Sequence, residues 1–286
     1  MRGNLSVFLA LGLLFAHERS LPGEELKQET IQQITAYLQE ARSHSLNKEY
    51  AKSNALYEKA MELLPPVKEG SLEASRAKLH FDIGCNWALQ GKKPEAIAAL
   101  GRAVSHGYWH ADYLLRDPTL KELHTDKAFQ AVMQEAKLGF SRMVVGLTDV
   151  LTNKKVEARD LENKVLIIDI WGTWCPPCRR EIPYFVKLKQ KYAAQGLEIV
   201  GLTYEREGPS GEVRKRVEDF GKEQSVNYPL VMLAEDLHAI LSGLHGVRKF
   251  PTTYFLGRDG SLKHRFEGLQ DLEVLEAKVI ELLSKK

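Results

Sequence analysis

The hydrophobic pattern of the chain changes near its middle. Between residues 24 and 138 apolar and small side chains recur at helical spacing, which predicts an all-helical region. From residue 144 onward continuous apolar runs alternate with amphipathic stretches, the pattern of buried strands followed by helices. The sequence therefore predicts two domains, an all-α domain over residues 24–138 and an α/β domain over residues 144–286.

Several elements of the second half can be placed individually. The run from Val165 to Trp171 is apolar and β-branched, which predicts a buried parallel strand, and Leu197–Thr203 predicts another. The stretch from Arg179 to Leu188 has the apolar stripe of a helix. The first strand is therefore expected to pass through a short turn into a helix. Further helices are predicted over residues 212–225 and 270–284.

The helical half contains an internal repeat of aromatic and small residues. The first set is Tyr37, Ala41, Tyr50, Ser53, Tyr57, Ala60 and Pro65, and the second is His80, Gly84, Trp87, Gly91, Ala96, Leu100 and Ala103. The spacing resembles that of tetratricopeptide repeats, whose period is about 34 residues, with the extra residues in a loop over 65–71. This resemblance implies two stacked helix pairs, with a closing helix supplied by the segment around residues 112–137. It also implies docking of a peptide or protein partner, although packing against the neighbouring domain is an alternative.

The N-terminal sequence predicts that the protein is located outside the cytoplasm. A short basic start is followed by the twelve-residue apolar run Leu5–Ala16. This run is short for a bilayer span but suits a signal peptide over residues 1–16, with an uncleaved membrane anchor as the alternative. Either way we expect a periplasmic or secreted protein, because both arrangements place the rest of the chain outside the cytoplasm.

Composition and charge exclude several classes of function. With 44% hydrophobic residues the chain can bury a sizeable core, and its net charge of +2 gives no reason to expect nucleic acid as a partner. No Walker loop, GxGxxG or HExxH motif occurs, so no cofactor is predicted. No metal site is predicted either, since the cysteines and histidines lack the spacing of a ligand set.

Two cysteines are the strongest chemical signal in the sequence. Cys175 and Cys178 are separated by two prolines and lie between the predicted strand and helix. A helix N-terminus stabilises a thiolate, and prolines are tolerated in its first positions. The Cys178 N–H is expected to point at the Cys175 sulfur. A structural disulfide or half of a zinc site are alternatives, but zinc needs two further ligands, and Cys85 lies far upstream as a predicted core thiol.

The surrounding residues resemble a known superfamily. Asp169–Cys178, with the letters DIWGTWCPPC, is similar to the active-site segment of thioredoxins, and most similar to that of the extracytoplasmic TlpA/ResA-like thiol-disulfide oxidoreductases. Val247–Leu256 is similar to the family's cis-proline loop and the strand after it. The resemblance covers about residues 144–286 and implies an α/β thioredoxin fold with the thiols at the strand ends.

The resemblance also implies roles for four side chains. Cys175 is expected to face solvent and attack a partner disulfide as a thiolate, and Cys178 to resolve the mixed disulfide. Asp169 corresponds to a buried acid behind the cysteines, although a solvent-facing strand residue is the alternative. Glu181 corresponds to an acidic position near the thiols in ResA-like proteins. An exposed helix residue that complements the neighbouring arginines is its alternative.

Substrate binding is expected at the proline loop. Pro251 is predicted to form a cis peptide bond with Phe250 and to lie against the disulfide, leaving backbone groups free for a bound peptide. Phe250, Pro251 and Thr252 are therefore candidate substrate-binding residues. Trp174 is predicted to lie near the entrance and completes the candidate substrate site.

The predicted activity is thiol-disulfide exchange in the reducing direction. Carboxylates near the sulfurs disfavour thiolates, and this favours a reductase of protein disulfides that receives electrons from an upstream thiol donor. A disulfide oxidase or isomerase on the same scaffold is one alternative. The other is a non-catalytic repeat protein in which the disulfide is structural.

Overall fold

The computed structural model describes residues 27–65, 70–205 and 210–285. The predicted signal peptide or anchor over residues 1–16 and most of the predicted 65–71 loop lie outside these ranges. None of the described helices is long and apolar enough to cross a membrane. The α-helices are α1 (Gln28–Leu46), α2 (Tyr50–Glu62), α3 (Gly70–Leu89), α4 (Lys93–Ser105), α5 (Ala111–Arg116), α6 (Lys127–Arg142), α7 (Ala158–Leu161), α8 (Pro176–Tyr192), α9 (Ser210–Glu223), α10 (Glu235–Gly243) and α11 (Leu272–Leu283). The strands are β1 (Val165–Trp171), β2 (Leu197–Thr203), β3 (Leu230–Met232), β4 (Thr252–Leu256) and β5 (Leu262–Glu267).

The chain forms two compact units. The first contains the described residues up to Ala136 together with Ala239–Gly246, and the second contains Lys137–His238 and the described residues from Val247 onward. Helix α6 continues through residues 139–142, where the sequence suggested a break between domains. Residues 239–246 belong to the helical unit although they follow β3 in the chain.

The helical unit is held together by close packing of small residues. Helix α1 packs on α2, and α3 packs on α4. Ala41 and Ala60 are fully buried, and a Cβ on Gly84 would lie only 2.8 Å from the Leu100 side chain. A buried amide also joins the two predicted repeats, because the Asn86 Nδ2 donates to Ser53 Oγ at 2.9 Å. The predicted helical character is confirmed, and the assignment as tetratricopeptide repeats remains a prediction.

The segment around residues 112–137, which is predicted to supply a closing helix, is not one continuous helix. Instead, α5 ends at Arg116, a 3₁₀-helix spans Pro118–Leu123, and α6 starts at Lys127. Proline cannot continue a helix and disfavours helical backbone in the residue before it. Asp117 accordingly has extended backbone, and its carboxylate accepts the Thr119 N–H at 2.9 Å.

The second unit is built on one mixed sheet. Within the described residues the strand order is β3-β2-β1-β4-β5; β1 pairs in parallel with β2, and β4 lies antiparallel to β1. All seven residues of β1 are buried, as expected for a central strand covered on both faces. The predicted strands Val165–Trp171 and Leu197–Thr203 are confirmed, while β3 and α10 were not predicted. The carboxyl end of β1 leads directly to the cysteines.

Candidate redox site

The two cysteines form a disulfide at the start of α8. Cys175 and Cys178 are joined with a Cα–Cα distance of 5.3 Å. Cys175 has extended backbone and caps the helix, while Pro176 and Pro177 occupy its first positions. The Cys178 N–H donates to the Cys175 sulfur at 3.3 Å, as the sequence predicted. A helix N-terminus and one aligned N–H therefore face the sulfur that would carry negative charge after reduction.

Both sulfurs are buried in this oxidised form. Cys175 is 3% exposed and Cys178 is 0% exposed, so the expectation that Cys175 faces solvent is wrong for the disulfide. Two aromatic side chains, Trp174 and Phe250, pack against the apolar cluster that contains both cysteines, and we call them the aromatic cover. Their rings meet edge to face with centroids 5.2 Å apart.

Asp169 is a buried acid on β1. It is 1% exposed, so the solvent-facing alternative is excluded. Its Oδ1 accepts a hydrogen bond from the Thr253 hydroxyl at 3.1 Å, and its Oδ2 has no partner within the described residues. Burial, and then the charge of Glu181, raise the pKa of Asp169 well above its ordinary value. Asp169 is therefore a strong acceptor for a proton released nearby.

Glu181 is a second buried acid, one turn beyond Cys178 on α8. Its side chain is fully buried, which contradicts the alternative of an exposed helix residue paired with the neighbouring arginines. Its Oε1 accepts the Gln270 backbone N–H at 2.8 Å, and burial raises its pKa to about 7. A carboxyl group with this pKa can both accept and release a proton near neutral pH. Gln270 was not identified from the sequence, because it lies in a loop far along the chain.

The segment before Cys175 is held by a buried carboxylate that the sequence analysis missed. Glu205 accepts the Thr173 backbone N–H at 2.7 Å and the Thr173 hydroxyl at 2.9 Å, and it forms an ion pair with Arg216. The indole N–H of Trp174 donates to the Tyr204 carbonyl at 2.9 Å. These bonds fasten the turn between β1 and α8 to the end of β2. They fix where Cys175 stands relative to the sheet.

Gly172 is required by this arrangement. A Cβ there would lie 2.5 Å from the Trp174 indole nitrogen and 2.5 Å from the Tyr204 carbonyl oxygen. We expect Gly172→Ala to break the Trp174–Tyr204 hydrogen bond and to lower the free energy of unfolding by about 1–3 kcal/mol, the range for overpacking. Urea unfolding monitored by tryptophan fluorescence measures this loss.

Gly211→Ala is the matched control, since a Cβ at Gly211 meets nothing within 4 Å. Alanine in helix α9 should leave stability unchanged or slightly raised. Equal stability of the Gly172 and Gly211 variants would contradict the proposed close approach.

The proline loop has the predicted cis bond, but it offers a substrate fewer side chains than expected. The Phe250–Pro251 peptide bond is cis, which confirms that prediction. The Pro251 carbonyl accepts the Gly268 N–H at 2.7 Å, and the Thr252 hydroxyl donates to the Lys249 carbonyl at 2.6 Å. Thr252 is fully buried, so its side chain supports the loop and does not offer a substrate contact. The assignment of Thr252 to substrate binding is therefore corrected.

An aromatic group that the sequence did not reveal extends this loop. The Tyr204 ring stacks on His238 with centroids 3.9 Å apart, and it lies 5.7 Å from Phe250. Because Trp174 packs edge to face on Phe250, the four rings form one continuous chain of aromatic contacts. No sequence signal could have found this group, because its members come from four separate segments.

The zinc alternative does not fit this form of the protein. Both thiols of the pair are consumed in the disulfide, and the remaining cysteine, Cys85, is unpaired. Burial raises the pKa of Cys85, and the side chain packs against the core of the helical unit. Cys85 is therefore a poor nucleophile and a poor metal ligand.

The fold and the site define a class of protein. A central parallel strand that leads into a helix capped by a disulfide, followed further along the chain by a cis-proline loop, is the arrangement of a thioredoxin-like dithiol protein. Residues 145–265 match the model of the AhpC/TSA family. The thiol-disulfide oxidoreductase ResA from a strain of Bacillus cereus is 31% identical over 150 residues, covering 52% of this chain and 81% of the relative. The chain belongs to the ResA-like thiol-disulfide oxidoreductases.

Other comparisons cover a smaller share of the chain. ResA of Bacillus subtilis (strain 168) is 32% identical over 109 residues, covering 38% of this chain and 56% of the relative. A solved thiol:disulfide interchange protein of the thioredoxin family from Chlorobium tepidum TLS is 25% identical with a TM-score of 0.43. That match covers 48% of this chain and 91% of the solved one. Family membership identifies the protein as an enzyme of thiol-disulfide exchange.

Proposed function

We propose that the enzyme is a reductase of protein disulfides that uses the Cys175–Cys178 pair. The observation that carries the proposal is the burial of two carboxyl groups, Asp169 and Glu181, in the apolar surroundings of the disulfide. Dithiol proteins become strong oxidants when their reduced thiolate form is stabilised. Negative charge behind the sulfurs opposes a thiolate and so favours the disulfide form of the enzyme. The reduced enzyme then passes its electrons on readily.

The reaction begins with the reduced enzyme. The Cys175 thiolate attacks one sulfur of the substrate disulfide, giving a mixed disulfide and one substrate thiolate. Cys178 then gives its proton to the Asp169–Glu181 pair and attacks the Cys175 sulfur. The substrate leaves with two thiols, the enzyme holds its disulfide, and two electrons have moved. An upstream thiol donor restores the dithiol by the reverse exchange.

The substrate docks as an extended peptide against the proline loop. The backbone of Phe250 supports this step, because its N–H and C=O have no hydrogen-bond partner within the described residues. Such groups can pair with a peptide strand. Trp174 and Pro251 supply apolar contacts on either side. The peptide would displace the aromatic cover and reach the Cys175 sulfur.

The helical unit serves to dock a protein partner. Its support is the exposure of large apolar side chains, among them Leu46 at 74% and Tyr113 at 64%. The domain limits 24–138 and 144–286 and the repeat assignment are part of this proposal. We also propose an extracytoplasmic location, resting on the apolar run Leu5–Ala16.

The reduction potential of the pair tests the direction of the reaction. The protein, carrying Cys85→Ser, is equilibrated with glutathione and dithiothreitol buffers, and the fraction of disulfide is measured by thiol alkylation and mass spectrometry. We expect a potential near that of thioredoxin, about −270 mV, or lower. A value near −120 mV would make the enzyme an oxidase and overturn the proposal.

A further inference from the structure

The proline loop begins with two cationic side chains that the mechanism above does not use. Arg248 and Lys249 directly precede Phe250, and both are exposed. The Phe250 ring packs against the cluster that contains both cysteines, and its centroid lies 5.2 Å from that of Trp174. Because consecutive Cα atoms are about 3.8 Å apart, Lys249 lies one such step and Arg248 two steps from a residue of the aromatic cover.

These two charges have no counter-ion among the residues that the structure describes. The acids that lie close to the loop in the sheet or at the site are already engaged. Glu267, which pairs with the β4 strand just after the loop, holds Arg265 at 2.6 Å. Glu205 is paired with Arg216 and binds the turn before the cysteines. The positive charge at the start of the loop is therefore open to a ligand.

The start of α8 carries charge of the same sign. Arg179 and Arg180 follow Cys178, and both side chains are exposed. Arg179 lies over the Phe220 ring at 5.5 Å, a cation–π contact that leaves its charge in place. Neither arginine forms an ion pair within the described ranges. Both sequence segments of the redox site thus present positive charge to solvent, whereas the two carboxyl groups behind the disulfide are buried.

We propose that Arg248 and Lys249 select protein substrates whose disulfide lies in an acidic segment. The proposal rests on the peptide-docking part of the proposed function and adds the chemical class of the peptide. A strand that pairs with the Phe250 backbone also runs past its neighbours in the loop, so acidic side chains close to the substrate cysteine come near both cations. Positive charge at the rim of a docking site speeds encounter with such a partner and disfavours basic ones.

A peptide fits this surface better than an anionic lipid does. A lipid headgroup would use the two charges alone. A peptide would use the charges together with the backbone N–H and C=O of Phe250, which have no partner within the part of the chain that the structure describes. The charges and the backbone groups belong to three consecutive residues, so one extended segment can engage all of them.

The test uses three cyclic peptide disulfides that differ only in the residues beside the cysteines, which are glutamate, glutamine or lysine. The second-order rate constant of thiol-disulfide exchange with the enzyme is measured for each peptide. At low ionic strength we expect the glutamate peptide to react about tenfold faster than the lysine peptide. The difference should disappear at about 1 M salt, where the screening length is about 3 Å.

Paired substitutions assign the preference to the loop. Arg248→Gln with Lys249→Gln should abolish it while changing the rate with the glutamine peptide less than about twofold, and Arg248→Glu with Lys249→Glu should reverse it. The matched control is Lys154→Gln with Lys155→Gln, which removes the same net charge from two adjacent exposed lysines. These lysines border a cavity that also touches Lys164, the residue before β1, and therefore lie at the opposite end of that strand from the cysteines. The control should keep the wild-type preference.

Three results would overturn the proposal. The first is equal rates for the three peptides in the wild type, and the second is an equal loss of preference in the Lys154–Lys155 control. The third is equal slowing of the Arg248–Lys249 glutamine variant with all three peptides. Sedimentation with phosphatidylglycerol–phosphatidylcholine vesicles tests the lipid directly. Vesicle binding that requires the two loop cations, without any peptide preference, would assign the surface to a membrane and overturn the proposal as well.

Exchange is measured in both directions, so that the direction of the reaction and the charge preference are separated. One set of reactions starts from reduced enzyme and peptide disulfide, and the other from oxidised enzyme and peptide dithiol. A preference for the glutamate peptide with net transfer only towards oxidation of the peptide would overturn the reductase and support the acidic substrate. Reduction of all three peptides at one rate would have the opposite meaning.

Discussion

Cys178→Ser should turn the enzyme into a covalent trap for its substrate. Cys175 keeps its helix N-terminus and the N–H of residue 178, so it should still attack a disulfide. Without the second thiol the mixed disulfide has no internal route to resolution. We expect turnover to fall by on the order of 10³ or more, with substrate accumulating on Cys175.

Intact-protein mass spectrometry measures the trapped species directly. After incubation with a disulfide-bonded peptide, the Cys178→Ser variant should gain the mass of one peptide chain, and dithiothreitol should remove it. Cys175→Ser should gain nothing, because the proposed mechanism assigns the attack on the substrate to Cys175 and only the resolving step to Cys178. Cys85→Ser should behave like the wild type. Adduct formation on Cys175→Ser at a similar rate would reverse the assigned roles of the two cysteines.

The local part of this site could be predicted from the sequence. The disulfide follows a buried apolar strand, and prolines fill the first helical positions, so the capping of α8 by Cys175 depends only on neighbouring residues. The cis bond at Phe250–Pro251 was predicted from one short motif. The capping follows from covalent neighbours and hydrophobic periodicity, whereas the cis bond was predicted from the resemblance of Val247–Leu256 to the family's cis-proline loop.

The burial of the site could not be predicted in the same way. Glu181 lies next to two arginines on an amphipathic helix, and only its contact with Gln270, far along the chain, shows that it faces inward. Phe250, which comes from another loop, packs against the same apolar cluster as Cys175. The Glu205 carboxylate binds Thr173 across 32 positions. Such contacts arise only when separate elements pack, and no local pattern encodes them.

The buried acids should make the stability of the protein depend on pH in an unusual direction. In an unfolded chain these carboxyl groups ionise near pH 4. In the folded protein burial raises the pKa of Asp169 well above that value and that of Glu181 to about 7. Between pH 4.5 and about 7 the folded state therefore binds more protons than the unfolded state. The free energy of unfolding contains a contribution that falls as pH rises through this window.

Glu181→Gln should remove much of the decrease in the free energy of unfolding between pH 4.5 and about 7. Glutamine keeps an oxygen that can accept the Gln270 N–H, but it cannot ionise. A pKa raised from 4.5 to about 7 corresponds to about 3 kcal/mol, an upper limit for the gain in stability at pH 8. Asp169→Asn should act in the same direction. Urea unfolding of the oxidised proteins at pH 4 and pH 8 measures the difference, with Glu273→Gln on the exposed side of α11 as control.

The same substitutions should slow catalysis where they add stability. At pH 8 Glu181→Gln should unfold at a higher urea concentration than the wild type, yet resolve the mixed disulfide more slowly, because Cys178 has lost a proton acceptor. At pH 4, where the wild-type carboxyl group is protonated, the stability gain should vanish. Opposite signs of the two effects would show that the buried charge is kept for proton transfer at a cost in folding energy. A variant that loses both stability and activity at pH 8 would instead assign Glu181 a structural role.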